Sequence, residues 1–246
     1  MIASLPMYWQ PEMAHDWDLF WNAVQQRLPD LPPLTTPDAL PDDWYAHWMA
    51  PDLILSHTCG LPFRDRLRDR VTYVASFDYA LPDTPPGFYY SVVLARRGET
   101  RDQGDMRFAY NQPDSQSGWG STRGRPFASY LETGSHRASV SAVIEGRADV
   151  AYVDAVTWRI LCLLDPTVAE ALEVIDRSIP TAGLALITAI GNDPLPLRAA
   201  LAEALKTLPD ESRAAMGGPV GITLLQNDDY LAVPIPTAPP QSRDVA

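Results

Sequence analysis

The stretch "SHRASVSAVIEGRADVAYVDAVTWRILCLL", residues 135–164, contains the pattern that decides the fold. Ser135 is a good helix N-cap, helical spacing of apolar residues follows, and Gly146 is of the type favoured just beyond a helix C-terminus. "ADVAYVD" then predicts a buried strand, and "AVTWRILCLL" predicts a second helix. A helix, a buried strand and a second helix in direct succession are typical of α/β architecture.

The same alternation extends in both directions from this stretch. Helical spacing is clearest in "MAHDWDLFWNAVQQRL" and "PLPLRAALAEALKTL". Strands are predicted for "IASLPM", "DLILS", "VTYVASF", "FYYSVVLA", "MRFAYN", "EVIDRS" and "GLALITAI". The alternation indicates an α/β fold with largely parallel sheets.

The length of 246 residues favours two α/β domains over one. The chain is expected to cross between the two domains at residues 89–95 and again at residues 183–189. A chain that crosses twice forms a discontinuous lobe of residues 1–90 plus 189–246 and a continuous lobe of residues 91–188, with a hinge and a cleft beside it. Residues 234–246, rich in proline, are expected to form a loose tail.

Composition excludes several functional classes. Lysine and arginine total 19 against 31 aspartates and glutamates, and the resulting net charge of −12 argues against nucleic acid or an anionic membrane as partner. Two distant cysteines, Cys59 and Cys162, make neither a disulfide framework nor a zinc site. No nucleotide-binding, hydrolase or metal-ligand motif is present, so we expect no catalytic residue, no metal and no cofactor.

The first residues leave the cellular location open. Met1 is followed at once by an apolar segment that predicts a strand, with no basic start and no cleavage site. We expect a cytoplasmic protein if Met1 is the native start, and a periplasmic or extracytoplasmic protein if a leader was trimmed.

The strongest candidate site is "NQPDSQSGWG", residues 111–120, where a predicted strand ends. If a helix begins near Ser117, its first N–H groups lack partners and the positive end of its dipole lies there. Ser115 and Ser117 add hydroxyl donors, and Gly118 would let an oxyanion approach the backbone. This combination suits phosphate, phosphonate, sulfonate or carboxylate. The alternative is an ordinary polar turn with an N-cap.

Polar residues at other predicted strand ends could share this ligand, because ligands of open α/β sheets bind beyond the carboxyl ends of strands. His136 either donates to the same anion or faces water. Asp154 either accepts a proton from an oxyanion or an ammonium group, or caps the following helix, and both roles can hold at once. Four more candidates lie at strand ends and could equally be structural: Tyr8, Ser56, Thr58 and Thr181.

Three segments, "LILSHTCGLP", "NQPDSQSGW" and "TGSHRASVSAVIEGRADVAYVDAVTW", give the chain a family resemblance. It resembles the substrate-binding proteins of phosphate/phosphonate-type ABC importers, which have the type 2 periplasmic binding protein fold, over nearly its whole length. The resemblance implies an α/β fold of two lobes, each with a mixed sheet flanked by helices, joined by two hinge crossings. It also implies a small anionic ligand, an ABC permease as partner, and a monomer.

The resemblance assigns roles to individual residues. The anion would be held by Ser115, Gln116 and Ser117 together with His136, and Asp154 supplies the acidic residue. Aromatic walls fall on Tyr8 and Tyr89. The chain departs from characterised phosphonate binders at two places. It has Thr181 and Ala182 where they carry an aspartate, and Gln116 where they usually carry threonine between the two serines.

Three functions follow as hypotheses. The first is a non-enzymatic solute-binding protein that captures a phosphate-like or phosphonate-like oxyanion in a cleft between lobes as receptor of an ABC importer. The second is an enzyme on the same fold, a lyase or a cofactor-precursor synthase, with Asp154 or His136 as acid/base. The third is a cytoplasmic ligand-sensing module.

Overall fold

The computed structural model describes residues 1–240 and divides the chain into two compact units. Unit 1 consists of Met1–Phe88 and Ala182–Ala232. Unit 2 consists of Tyr89–Thr181 and the residues from Val233 onward. The chain therefore changes unit at 88/89, at 181/182 and again at 232/233.

Unit 1 contains a five-stranded sheet and six α-helices. Its strands are β1 (Ile2–Ala3), β2 (Leu53–Thr58), β3 (Val71–Asp78), β11 (Ala185–Ala189) and β12 (Gly221–Thr223). Its helices are α1 (Ala14–Gln25), α2 (Trp44–Trp48), α3 (Gly60–Pro62, continued by a π-turn over Phe63–Leu67), α7 (Leu195–Thr207), α8 (Asp210–Ala215) and α9 (Asn227–Leu231).

The sheet of unit 1 has the strand order β1-β2-β11-β3-β12. β1 runs parallel to β2, whereas β11 is antiparallel to both of its neighbours, β2 and β3. Helix α1 packs against α7 and α8. Its apolar face is formed by Trp17, Phe20, Trp21 and Val24, each at most 2 % exposed, as the helical spacing predicts. Burial of each of these large side chains contributes about 1.5–3 kcal/mol to folding.

The described residues of unit 2 contain a second five-stranded sheet and three α-helices. Its strands are β5 (Ser91–Arg96), β6 (Arg107–Tyr110), β7 (Ser129–Glu132), β8 (Val150–Asp154) and β9 (Leu172–Arg177). Its helices are α4 (His136–Ile144), α5 (Ala155–Leu164) and α6 (Pro166–Ala171). Two further strands, β4 (Phe88–Tyr89) and β10 (Thr181–Ala182), lie at the first two changes of unit and pair as a separate two-stranded sheet.

The sheet of unit 2 has the order β7-β6-β8-β5-β9, with β6 parallel to β7 and β8, and β5 antiparallel to β8 and β9. Its core is rich in aromatic side chains. Phe108 stacks on Phe127 with ring centroids 4.3 Å apart, and Trp119 packs into the same cluster. Trp119 lies two positions after Ser117, the last of the predicted anion-binding residues in this segment, so this core anchors one end of the segment.

Both sheets are mixed, as the resemblance implies, and the expectation of largely parallel sheets is wrong. In the two five-stranded sheets, four of the five antiparallel pairings involve β5 or β11, and the fifth is β12–β3. These are the first strands of each unit's main sheet after the chain changes unit at 88/89 and at 181/182. Hydrophobic periodicity carries no information about strand direction, so the sequence could not reveal this.

The second change of unit lies at 181/182, seven residues before the expected position at 188/189. Residues 182–188, expected in the second lobe, belong to unit 1 because β11 pairs with β2 and β3. Residues 233–240 also depart from the expectation of a loose tail in the first lobe. They belong to unit 2, where the carbonyl of Thr237 accepts a hydrogen bond from Trp119 Nε1 at 2.6 Å. The rest of that predicted tail, residues 241–246, lies outside the described residues.

Across residues 1–240, no helix combines the length and the apolar character needed to cross a membrane.

Candidate functional site

The segment 115–119, called here the serine turn, links β6 to a short 3-10 helix at Gly120–Thr122. It consists of turns, so the expected helix beginning near Ser117, and the dipole of that helix, are absent. Its order comes instead from hydrogen bonds within the turn. Gly118 N donates to Ser115 Oγ at 3.0 Å, and Gly120 N donates to the Ser115 carbonyl at 2.9 Å.

Gly118 has a different role from the one expected. A Cβ at this position would collide with the side-chain oxygen of Asn111. The missing side chain therefore makes room for Asn111 rather than for a ligand. The backbone of Asn111 accepts a hydrogen bond from Gly134 N at 2.9 Å, which ties the start of this loop to the segment before α4.

The start of helix α4 lies beside the serine turn because the preceding residues are fastened to the end of β6. Thr133 N and Thr133 Oγ1 both donate to the carbonyl of Tyr110, at 2.9 and 3.0 Å. Ser135 caps the helix, as predicted, by accepting from Ala138 N at 3.1 Å. His136 is consequently the first residue of α4.

The three strongest predicted ligand residues are brought together. Ser117 Oγ lies 2.7 Å from His136 Nε2 and 3.4 Å from Ser115 Oγ. Ser115 and Ser117 are only 5 % and 4 % exposed, so a group bound between them would be largely withdrawn from water. Hydrogen bonds are stronger in such an environment than in solution.

The protonation of His136 decides which way its hydrogen bond runs. Burial lowers the pKa of this imidazole from 6.5 to about 4, so the ring is neutral at pH 7 and carries one N–H. Nδ1 is buried, and residues 1–240 provide it with no hydrogen-bond partner. A buried N–H without an acceptor is costlier than a lone pair without a donor. We therefore assign the proton to Nε2, which donates to Ser117 Oγ.

This assignment leaves both serine hydroxyl protons available. Ser115 Oγ already accepts from Gly118 N, and Ser117 Oγ accepts from His136. Within residues 1–240, the backbone N–H of Ser117 also meets no acceptor at hydrogen-bonding distance. The serine turn thus offers three donors and no formal charge, an arrangement suited to an oxyanion.

The remaining predicted residues of unit 2 are all buried. Asp154 ends β8 and caps α5, as one of its two predicted roles requires, with Oδ1 accepting from Val156 N at 2.7 Å and Thr157 N at 3.3 Å. Gln116 is 2 % exposed, Tyr89 in β4 is 2 % exposed, and Thr181 in β10 is 6 % exposed.

The predicted residues of unit 1 are held in internal contacts. Ser56 and Thr58 lie within β2 rather than after it, and both are fully buried. Ser56 Oγ is 2.9 Å from Ser4 Oγ and 3.2 Å from His47 Nε2. Tyr8 packs edge-on against Tyr79 with ring centroids 5.3 Å apart. The hydroxyl of Ser56 is therefore engaged within unit 1.

Sequence reasoning missed two residues that contact the serine turn. Ser91, the first residue of β5, donates from Oγ to the Ser117 carbonyl at 2.7 Å. Ser121 donates from Oγ to the Gln116 carbonyl at 2.8 Å. Ser121 lies four residues after Ser117 and could have been suspected, whereas nothing in the sequence connects Ser91 with a turn more than 20 positions away.

Metal binding has no support in the described part of the chain, where no group of three or more His, Cys, Asp or Glu side chains is placed to hold an ion. Cys59 is buried and Cys162 half-buried, and both are free thiols.

Residues 71–230 match the family described as the periplasmic substrate-binding protein of phosphonate ABC transporters. A comparison with curated protein sequences finds no match.

Several solved structures share the fold. A binding-protein component of an ABC phosphonate transporter from Pseudomonas aeruginosa is 17% identical, with a TM-score of 0.70 over 95% of this chain and 83% of its own. PhnD1 from Prochlorococcus marinus in complex with methylphosphonate is 14% identical, with a TM-score of 0.70 over 95% of both chains. A Xanthomonas citri protein bound to ATP is 12% identical, with a TM-score of 0.68 over 95% of this chain and 94% of its own. These likenesses establish the two-lobed periplasmic-binding-protein-like α/β fold.

Proposed function

Because the chain belongs to the family of periplasmic substrate-binding proteins of phosphonate ABC transporters, we propose that its serine turn binds a small oxyanion of the phosphonate or phosphate type. One observation carries the proposal: Ser115, Ser117 and His136, from two separate segments, form a connected set of hydrogen bonds in which both serines are buried and His136 is half-buried. The serine turn is already stabilised by its own hydrogen bonds, so the contact of Ser117 Oγ with His136, the first residue of α4, is not required to maintain the turn.

The donors act on the anion in defined ways. The hydroxyls of Ser115 and Ser117 and the N–H of Ser117 donate to the oxygens of the anion. His136 donates to Ser117 Oγ and thereby turns the proton of that hydroxyl toward the ligand. Neutral donors stabilise an anion in a water-poor site without requiring a buried counter-charge.

The site favours anions whose substituent carries no ammonium group. Asp154 is the acidic residue assigned to this site, is 2 % exposed, and caps α5 through two backbone N–H groups. Thr181 and Ala182 supply no second carboxylate. An ammonium group would therefore meet at most one carboxylate, Asp154, among these residues, so alkyl phosphonates, phosphite and phosphate are better candidates than aminoalkyl phosphonates.

Three further features belong to the same proposal. The protein works in the periplasm, delivers its ligand to the permease of an ABC transporter, and is a monomer that releases the ligand chemically unchanged. Family membership supports the first two, since the family consists of periplasmic transporter components. It also supports release of the unchanged ligand, since proteins of this family are described as substrate-binding components of transporters.

A thermal-shift panel tests the ligand class. Phosphate, phosphite, methylphosphonate, 2-aminoethylphosphonate, methanesulfonate and acetate are each added to the protein. A ligand at 100 times its dissociation constant stabilises the folded state by about 2.7 kcal/mol, which raises Tm by roughly 5–10 °C for a chain of this size. We expect shifts with the phosphorus oxyanions, a smaller shift with the aminoalkyl compound, and intact ligand after incubation.

The variant Ser117→Ala tests the site itself. Loss of a buried donor to a charged oxygen costs about 1–3 kcal/mol, or roughly 5- to 150-fold in Kd. The control is Ser141→Ala, which removes a hydroxyl that donates only to the Arg137 carbonyl within α4. Calorimetry should show weaker binding for the first variant and wild-type binding for the second. Unchanged affinity in Ser117→Ala, or no shift with any phosphorus oxyanion, contradicts the proposal.

A further inference from the structure

A pair of serine hydroxyls lies on the carbonyl side of the serine turn. Ser91 Oγ contacts the Ser117 carbonyl at 2.7 Å, and Ser121 Oγ contacts the Gln116 carbonyl at 2.8 Å. The two hydroxyl oxygens are themselves 2.9 Å apart. Ser91 is fully buried and Ser121 half-buried. Together they form a connected pair that holds two consecutive carbonyls of the turn.

The number of protons limits how this pair works. Each hydroxyl has one proton, whereas three contacts are available, so two of them are hydrogen bonds at any moment. In one arrangement, Ser91 donates to the Ser117 carbonyl and Ser121 donates to the Gln116 carbonyl. In the other two, one serine donates to the hydroxyl of the other, and the second serine donates to the carbonyl that it contacts. At least one carbonyl is held in every arrangement, and both are held in one of them.

Holding a carbonyl also fixes the N–H on the other side of the same peptide plane. In a trans peptide the C=O of one residue and the N–H of the next are coplanar and point in opposite directions. The bond from Ser121 to the Gln116 carbonyl therefore sets the direction of the Ser117 N–H. The bond from Ser91 to the Ser117 carbonyl sets the direction of the Gly118 N–H, which donates to Ser115 Oγ.

We propose that Ser121 and Ser91 are positioning residues for oxyanion binding, with Ser121 aiming the Ser117 N–H at the ligand and Ser91 supporting the Gly118–Ser115 bond. Neither side chain touches the ligand. The inference rests on the proposed function. The Ser117 N–H meets no acceptor in residues 1–240, and a bound oxyanion would explain why this N–H is held in one direction.

Ser91 also connects the turn to the strand on which the chain enters unit 2. Its backbone N–H donates to Ser178 Oγ at 2.9 Å, and its carbonyl accepts from Ser178 N at 2.8 Å. It pairs across the sheet with Asp154. The direction of the turn amides is therefore set by the start of β5, which is paired on both sides in the sheet, rather than by the turn alone.

The test is calorimetric titration of the full chain with inorganic phosphate and with methylphosphonate. Ser121→Ala is expected to weaken the binding of the preferred anion by about tenfold, and Ser91→Ala by about threefold, as loss of part of the anion's hydrogen bonding implies. Ser121→Thr, which keeps the hydroxyl, should restore most of the affinity. Ser141→Ala serves as the matched control, and Tm without ligand is recorded for every variant.

The outcomes separate this inference from the function on which it rests. Weaker binding by Ser121→Ala with an unchanged ligand-free Tm, and recovery in Ser121→Thr, supports the positioning role. Wild-type affinity in Ser121→Ala overturns it and leaves the proposed function standing. A loss of affinity that the threonine variant does not recover, or that accompanies an equal loss in Tm, also overturns it. If the wild-type protein binds neither probe, the proposed function fails and this inference fails with it.

Discussion

His57 and His136 are the two histidines whose burial lowers the pKa furthest, to about 3 and about 4 from an ordinary value of 6.5. His57 in β2 is fully buried, and neither ring nitrogen has a hydrogen-bond partner in the described residues. Its ring lies edge-on to Tyr8 and Trp17, with centroids 6.0 and 6.3 Å away. Both imidazoles are thus neutral in the folded protein over most of the accessible pH range.

A pH dependence of stability follows from these two side chains. Between pH 6.5 and about 4 the unfolded chain protonates both histidines while the folded chain does not, and for His57 this window extends to about pH 3, so the unfolded state binds more protons. Their contribution to stability is complete above pH 6.5 and is lost as pH falls. Each histidine contributes a slope of up to about 1.4 kcal/mol per pH unit in that window.

The variant His57→Phe tests this account. Phenylalanine keeps a ring at a position where no hydrogen bond is made, so stability measured by urea unfolding should decline less steeply between pH 6.5 and 4 than in the wild type. The control is Ser141→Ala in α4, which removes no ionisable group and should leave the slope unchanged. An equal slope in His57→Phe and wild type would show that His57 takes up its proton in the folded state.

Single residues were predicted best where one local rule governs them. Ser135 and Asp154 were expected as N-caps and are N-caps, because capping depends on a few neighbouring residues. The role of Gly118 was misjudged, since the side chain that fills its space, Asn111, comes from seven positions earlier. Ser91 could not be foreseen, because only the pairing of β5 within the sheet brings it to the serine turn.

Among the elements, the segments next to β4 and β10 are joined by a backbone contact between Gly87 and Gly183 that leaves no space for a side chain at position 183. Gly183 N donates to the Gly87 carbonyl at 2.9 Å, and a Cβ on Gly183 would collide with that same carbonyl oxygen. Gly87 has a φ of +77°, in the region that favours glycine. Nearby, Tyr230 in α9 donates from its hydroxyl to the Gly183 carbonyl at 3.0 Å. Glycine at position 183 is therefore a requirement of packing.

Gly183→Ala should destabilise the protein by about 1–3 kcal/mol, because the methyl group meets backbone that cannot rotate away. The matched control is Gly221→Ala in β12, where no atom lies within 4 Å of a new Cβ. There the change should stay within about 0.5 kcal/mol. Urea unfolding of both variants gives the comparison, and equal stability of the two would show that the Gly87–Gly183 contact relaxes at no cost.

The elements themselves follow from periodicity in most cases, and the exceptions have physical reasons. The run "FYYSVVLA" predicts one strand, but Tyr90 separates β4 from β5 where the chain changes unit. The edge strands β7 and β12, of four and three residues, carry too few apolar positions to be recognised. A helix was expected at Ser117 because glycines and serines there resemble an N-terminus, yet side-chain bonds stabilise a turn instead.

For the whole molecule, the strong negative charge makes a specific prediction about the rate of anion binding. The net charge is −12, and no lysine or arginine is among the residues proposed to hold the anion. An incoming oxyanion is therefore repelled at long range, and salt screens this repulsion with a Debye length of about 10 Å at 0.1 M. The association rate constant for phosphate or methylphosphonate should rise with ionic strength.

Stopped-flow fluorescence at ionic strengths between about 0.01 and 0.15 M measures this effect. The added salt must contain an anion that itself gives no thermal shift, since a competing anion would mask the screening. A rate constant that falls as salt increases would reveal attraction by a basic surface and would contradict an uncharged donor site.

The two-lobed architecture was foreseeable from the sequence, whereas the boundaries were not. Length and two β-prone runs predict two α/β bodies with a discontinuous first one. The change of unit at 181/182 depends on the pairing of β11 with β2 and β3. The assignment of residues 233–240 to unit 2 depends on contacts such as the hydrogen bond from Trp119 to Thr237. Neither can be predicted from a local sequence pattern. The family match covers residues 71–230, so the family resemblance expected from the sequence motifs is confirmed over most of the chain.

The most direct test of the central claim is an amide NMR titration of the isotope-labelled protein with methylphosphonate and with phosphate. The account predicts that the N–H signal of Ser117 shifts strongly downfield on binding, because it gains an anionic acceptor. The imidazole of His136 should stay neutral, with its Nε2 proton retained. If the protein binds an oxyanion while the amide signal of Ser117 does not shift, the ligand lies elsewhere and the account is wrong.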